Sequence, residues 1–330
     1  MKRIGLIGCG IVTIKAHLSA LLNDPTQPLN EPEFVITAIC GLEEDKLKYI
    51  QYKLPAVEMF SEYQKLIDSG LVDCVFVATG ERLHLEIAEY ALQKDMYVMI
   101  EKPASTNAVR IQKFIKDNSN KLDKLQIAFN KRFYPGILKA KELESTGEFS
   151  EVIGGNIYFL TQQGRKPGKE GILSNLIHLC DEICYLFGEP EDVTAHFSGA
   201  LNDEKAGKTI SASILTKQGA SVAMLFTSSS NWNLPYHEQI QMLDNQRNRI
   251  SIENNNKLIF TKCTQDKKIN TQLFEQSNSI FWNKDPYGYK TQITEFYKLV
   301  SGQSCKPAVD IYNALAAHKL FESIFEFDNE

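Results

Sequence analysis

Apolar runs of strand length alternate with helix-compatible stretches through the first 130 residues, at 3–10, 34–40, 72–79, 96–100 and 125–129. This alternation narrows the fold more than any other feature. Strands that read as near-continuous apolar runs are buried on both faces, which places them in a parallel sheet with helices above and below. Ligands of such sheets bind outside the carboxyl ends of the strands. The residues expected at those ends are Gly10, Gly41, Thr79 with Gly80, Lys102 and Asn130.

The first run ends in Gly8-Cys9-Gly10 and leads into helix-compatible residues from Ile11 to Leu22. Strand, glycine turn and helix form a dinucleotide fingerprint. Gly8 and Gly10 let the backbone turn tightly and approach a pyrophosphate, whose charge meets free N–H groups and a helix dipole past the turn, at Ile11 and Val12. Thr13 stands where a third Gly or Ala would be. Glycines in apolar strands also serve plain close packing, so the turn counts through its place at the head of the alternation. A side chain at either glycine is expected to block the pyrophosphate and leave the fold largely intact.

The run at 96–100 continues into Glu101-Lys102-Pro103. Alternation sends Glu101 and Lys102 to opposite faces, and Pro103 restricts Lys102 to extended or turn geometry, so one ammonium is aimed at one place. At the tip of the second strand, where NAD-binding folds offer an acid and NADP-binding ones an arginine, stands Gly41. The nearest charges, Glu43, Glu44 and Asp45, also read as a solvated first helical turn. The cofactor is expected to be NAD or NADP, and these acids tip the expectation to NAD.

A chain of 330 residues with 43% hydrophobic content can bury two cores of ordinary size. The division is expected between a dinucleotide-binding domain over 1–130 and a substrate-binding and oligomerisation domain over 131–330. A net charge of -5 gives no attraction for nucleic acid or anionic lipid. Seven cysteines, an odd number set mostly in apolar runs, fit buried thiols of a reducing cytosol better than a disulfide framework. Glycines interrupt the apolar run after Lys2 and Arg3, unlike a signal peptide, and no stretch is long enough to span a bilayer. A cytoplasmic protein with a small-molecule partner is the expectation.

From Val152 the pattern changes to short strands, at 152–160, 192–199, 208–216, 219–228, 236–243, 248–253 and 257–262. Hairpin-sized connections favour antiparallel pairing. A broad sheet with helices on one face leaves the other needing cover, which predicts a homodimer or homotetramer. Between these two regions, apolar residues at 173, 176, 177, 180, 183, 184 and 187 make a helical stripe, and the other face collects Ser174, His178, Asp181 and Glu182. On pattern alone that second face is solvated. Cys180 and Cys184 belong to the apolar stripe and His178 does not, so no metal set is expected. No Gly-x-Ser-x-Gly elbow accompanies the histidine.

The Gly-Cys-Gly turn, the strand ending Ala78-Thr79 before Leu83-His84, Glu101-Lys102-Pro103, and Asn130-Lys131-Arg132-Phe133-Tyr134-Pro135 resemble, in this order and spacing, the Gfo/Idh/MocA oxidoreductases over essentially the whole chain. The resemblance implies an α/β protein. Its N-terminal Rossmann domain is a doubly wound parallel sheet, and its C-terminal α+β domain is built on a large, mostly antiparallel sheet. The implied activity is oxidation or reduction of sugar hydroxyls with NAD or NADP. Lys102 and His178 are then the catalytic residues, Lys102 polarising the oxygen or relaying the proton and neutral His178 serving as base. Arg132, Ser174 and Asn175 join them at the substrate, while His84, Glu101 and Asn130 lie beside the cofactor. Many members carry Asp one turn before the His, where this chain has Ser174. The segment Gly164 to Asn175 resembles members acting on nucleotide-linked N-acetylated sugars. Because the family also includes a dinucleotide-sensing repressor and NAD-assisted glycosidases, a non-catalytic regulator or scaffold and a glycosidase stand as alternatives.

Overall fold

Lys2–Ile7 (β1), Phe34–Cys40 (β2), Glu58–Phe60 (β3), Cys74–Val77 (β4), Tyr97–Glu101 (β5) and Leu125–Ala128 (β6) form one parallel sheet, in the order β3-β2-β1-β4-β5-β6. The structure is a computed structural model that describes residues 1–10, 13–21, 34–161, 168–199, 208–229, 237–254, 257–263, 268–275, 285 and 287–327. It divides into two units, Met1–Asn130 with Tyr289–Leu315, and Lys131–Gly288 with Ala316–Glu330.

In the first unit every residue of β4 is at most 1% exposed, as a strand covered on both faces requires. Leu18–Leu21 (α1), Glu44–Lys53 (α2), Tyr63–Asp68 (α3), His84–Gln93 (α4) and Ala108–Asp117 (α5) supply helical cover. The strand order reverses direction between β1 and β4, and a crevice outside the carboxyl ends of those strands is where an open sheet of this kind takes its ligand. The three-residue β3 has no pattern of its own and pairs only with β2, which is why the sequence does not show it.

The sequence placed everything after residue 130 in the second domain, whereas the structure returns Tyr289–Leu315 to the first unit. The reason is apolar. In the helix Tyr289–Val300, Ile293, Phe296, Leu299 and Val300 share a core with Phe34, Ile36 and Ile39. Phe296 stacks on Phe34 with 5.8 Å between ring centroids. An amphipathic stripe announces burial without saying which core receives it.

In the second unit, Val152–Leu160 (β7), Pro190–Ser198 (β8), Thr209–Thr216 (β9), Ser221–Thr227 (β10), Glu238–Asp244 (β11), Arg249–Glu253 (β12), Lys257–Cys263 (β13) and Ile269–Glu275 (β14) make an eight-stranded sheet. Its order is β14-β13-β12-β11-β7-β10-β9-β8, and only β7 and β10 pair in parallel. Pro135–Ser145 (α6) and Gly168–Leu186 (α7) are its first helices. One face buries Ile157, Phe159, Phe226, Met242 and Phe260, each at most 2% exposed. The other face carries Leu215, Leu225, Leu243 and Leu273, which are 39% to 45% exposed. The edge strand β14 escaped the sequence pattern because most of its residues are exposed, so no burial imposes alternation.

Candidate functional site

The glycine turn separates two roles that the sequence had merged. Gly8 has φ +107°, and a Cβ there would stand 2.4 Å from the backbone oxygen of Ala78. Its N–H donates to Cys40 O at 2.8 Å, and Ala78 N–H donates to Ile7 O at 2.7 Å, so Gly8 lies where three strand ends are tied together. A side chain there disrupts the fold, contrary to the expectation that both glycines could be substituted with the fold kept. Gly10 and Gly80 are different, since a Cβ at either meets no atom within 4 Å among the described residues. That open edge beside the β1–β4 reversal fits a phosphate approaching backbone. Ile14 N–H donates to Gly10 O at 3.1 Å, and a π-helical turn covers Thr13–His17. Ile11 and Val12 lie outside the described residues.

Gly41 stands at the end of β2, but a Cβ there would be 2.0 Å from Cys9 Sγ. Close packing is therefore sufficient reason for glycine at this tip. Burial pushes the Cys9 thiol up to about 11, so it is a packing group and not a nucleophile. Glu43 and Glu44 pair with Lys46 and Lys48 at 2.5 and 2.7 Å, as in the solvated-turn reading.

Lys102 follows β5 half-buried, joined to Pro103 by a cis peptide bond, with a histidine on each side. Before it, Glu101 Oε1 meets His17 Nε2 at 2.5 Å and Oε2 accepts the Lys102 N–H at 3.0 Å. After it, Pro103 O lies 2.9 Å from His84 Nδ1, and His84 Nε2 lies 3.1 Å from Thr79 O. Burial holds His84 below its ordinary value against those two carbonyls and the Glu101 charge. Both carboxylate oxygens of Glu101, expected at the cofactor, are thus engaged by the protein. Half-buried Thr79 also belongs to the clasp through its carbonyl, and Asn130, 5% exposed, opens the turn after β6.

In the second unit α7 carries the apolar stripe as expected, but its other face is not solvated. Asp181 and Glu182 are 1% and 0% exposed and His178 is 9% exposed. Cations following Asn130 meet the two carboxylates there. Arg132, expected at the substrate, donates from Nε and Nη2 to both oxygens of Asp181 at 2.9 and 2.6 Å and lies 4.4 Å over the Tyr185 ring. Burial alone would lower the guanidinium, but the Asp181 charge and hydrogen bonds hold it up; burial raises Asp181 against the pull of Arg132. The bidentate geometry is that of an ionised pair. The Lys131 ammonium lies between Glu238 and Glu182, 3.4 Å from the latter, and 3.9 Å over the Phe159 ring. Burial and the neighbouring Glu238 charge push Glu182 well above the carboxylate range, against the pull of Lys131. Ser174, one turn before His178, donates to Gly171 O at 2.9 Å, and Asn175 is half-buried beside it.

The Lys131 and Arg132 partners were not legible in sequence, and neither was the His17–Glu101 contact. Among the described residues no group of three or more His, Cys, Asp or Glu is placed to hold a metal ion, and no helix is long and apolar enough to cross a membrane. All seven cysteines are free thiols.

A family model described as an oxidoreductase family with an NAD-binding Rossmann fold matches residues 2–129. The chain is 27% identical over 217 residues to a myo-inositol 2-dehydrogenase of Thermotoga maritima, covering 62% of this chain and 61% of that one. It is 24% identical over 203 residues to an NADP(+)-dependent scyllo-inositol 2-dehydrogenase of Bacillus subtilis, covering 59% and 54%. These matches span less than two thirds of either relative's length. The structure of a levoglucosan dehydrogenase in complex with NADH superposes over 99% of this chain and 96% of that chain, with a TM-score of 0.82 at 17% identity, a likeness of fold.

Proposed function

We propose, from the premise that this chain belongs to the Gfo/Idh/MocA oxidoreductase family, that it is a nicotinamide-dependent dehydrogenase of sugar or polyol hydroxyls. The observation that supports this most is Lys102, half-buried at a strand end with each neighbour held by a buried histidine. A lysine used only for solubility does not need its backbone fixed on both sides. The open edge at Gly10 and Gly80 receives the cofactor phosphates, and the bound nicotinamide supplies the hydride acceptor or donor. Lys102 polarises the hydroxyl oxygen, and His178 accepts its proton in the oxidative direction. Ser174, already donating to Gly171 O, supplies no carboxylate to that transfer. NAD is the favoured cofactor, since the residues at and after Gly41 offer acids and no arginine.

Reduced nicotinamide absorbance across a panel of myo-inositol, scyllo-inositol, levoglucosan and nucleotide-linked N-acetylated sugars tests this reading with both cofactors. Turnover of at least one compound is expected, with NAD bound at least as tightly as NADP. By calorimetry Gly10→Val should lose cofactor affinity and keep its Tm, whereas Gly8→Val should lose Tm. Tight cofactor binding without turnover of any compound would replace the enzyme with a dinucleotide sensor. The exposed leucines on one face of the large sheet support a homodimer through that face, checked by sedimentation of wild type and Leu225→Arg.

A further inference from the structure

The two histidines beside Lys102 are not equivalent. His84 reaches backbone carbonyls, whereas His17 reaches a charge. His17 closes the helical turn that begins just past the glycine turn, and its side chain is fully buried. Phe76 and Tyr289 meet its ring edge-on, with centroids 4.5 and 5.1 Å away, which fixes the ring plane. Glu101 divides its two oxygens, one to His17 and one to the backbone of Lys102. Burial pushes the Glu101 carboxyl up, but the His17 hydrogen bond and charge, with Lys102 and His84, more than offset it and hold the group below its ordinary value. Well-packed apolar residues would satisfy such a position at lower electrostatic cost.

We infer that His17 is a positioning residue, which through Glu101 sets the backbone of Lys102 and so the aim of its ammonium, joining the lysine to the turn that seats the cofactor. This rests on the reading of Lys102 as a catalytic residue. Small displacements of a catalytic group are costly, so His17→Ala should lower kcat by about tenfold or more on the fastest panel substrate. Affinity for NAD should stay within about threefold, or ~0.7 kcal/mol. His17→Gln, whose amide can donate to Glu101, should recover most of the rate. If His17→Ala does not fold, His17→Asn, whose amide falls short of the carboxylate, takes its place.

A purely structural histidine and a positioning one differ in the double mutant. Groups acting as a unit are non-additive, so in a Lys102→Met background the loss of His17 should cost nothing further. A second readout needs no turnover. Acylation of Lys102 by a small amine-reactive ester, followed by peptide mass spectrometry against exposed Lys113 in the same molecule, should change at least about threefold in His17→Ala and return in His17→Gln. An unchanged acylation ratio, or an equal kcat loss with and without Lys102, overturns the inference. Wild-type turnover in Lys102→Met overturns the catalytic reading instead, and the acylation ratio then decides on His17 alone.

Discussion

Two basic segments follow neighbouring strands of one sheet, Glu101-Lys102-Pro103 after β5 and Asn130-Lys131-Arg132-Phe133 after β6, and their cations end differently. Lys131 and Arg132 are each 5% exposed and saturated by Asp181, Glu182 and Glu238. Lys102 is half-buried, and the carboxylate beside it is shared between His17 and the lysine backbone. In sequence both segments read as cations at a ligand edge. Lys131 and Arg132 are buried against counter-charge supplied by residues 49 to 107 positions further along the chain. A strand end that leaves its cation half-buried is a candidate for chemistry; one that buries its cations against carboxylates is part of the core.

The largest effect should come from exchanging the two lysines for methionine. Lys102→Met is expected to lower kcat by ~10²- to 10⁴-fold with Tm nearly unchanged. Lys131→Met should do the reverse, losing about 3–5 kcal/mol of stability because Glu238 is left buried beside Glu182 without the ammonium that pairs it. Denaturant melts and steady-state rates on both variants check the pair. Equal loss of activity in both would erase the distinction between the segments.

The Arg132–Asp181 pair sharpens the comparison. Arg132→Met alone strands a buried carboxylate and should also cost about 3–5 kcal/mol, whereas Arg132→Met with Asp181→Leu, which leaves no charge unpaired, should recover most of it. A double mutant no more stable than the single one would mean that Arg132 serves something other than Asp181.

The smallest effect is expected at Glu182. Its folded value is raised, so the unfolded chain ionises first, and wild-type stability falls as pH rises from the ordinary carboxylate value toward the folded one, by up to about 1.4 kcal/mol per pH unit. Glu182→Gln has nothing to ionise. Its Tm relative to wild type should therefore improve as pH rises over the first unit above the ordinary carboxylate value, and a widening deficit there would contradict the raised folded value.

The parallel sheet was legible because its strands are buried on both faces and bear continuous apolar runs; β2 and β7 agree with their sequence expectations to the residue. Edge elements under no such constraint, β3 and β14, were not legible. In the candidate site the same division holds. Gly8, Gly10, Thr79 and Lys102 are marked by local sequence and sit at strand ends, where the pattern put them. The burial of α7's polar face was hidden, because the pattern shows a carboxylate at 181 and cannot show the guanidinium that meets it. The partner of His17 was hidden likewise, since Glu101 lies 84 residues away.

The return of Tyr289–Leu315 to the first unit bears on how the chain is made. When residues 1–130 have left the ribosome, Phe34 and Ile36 still lack Ile293, Phe296 and Leu299, the residues that complete their core. At ~5–20 residues per second the missing helix follows on the order of ten seconds later. Through that interval the nascent first unit presents an uncovered apolar flank. Chaperones or early pairing with another chain would act there, and a fragment cut at residue 130 would carry the flank permanently.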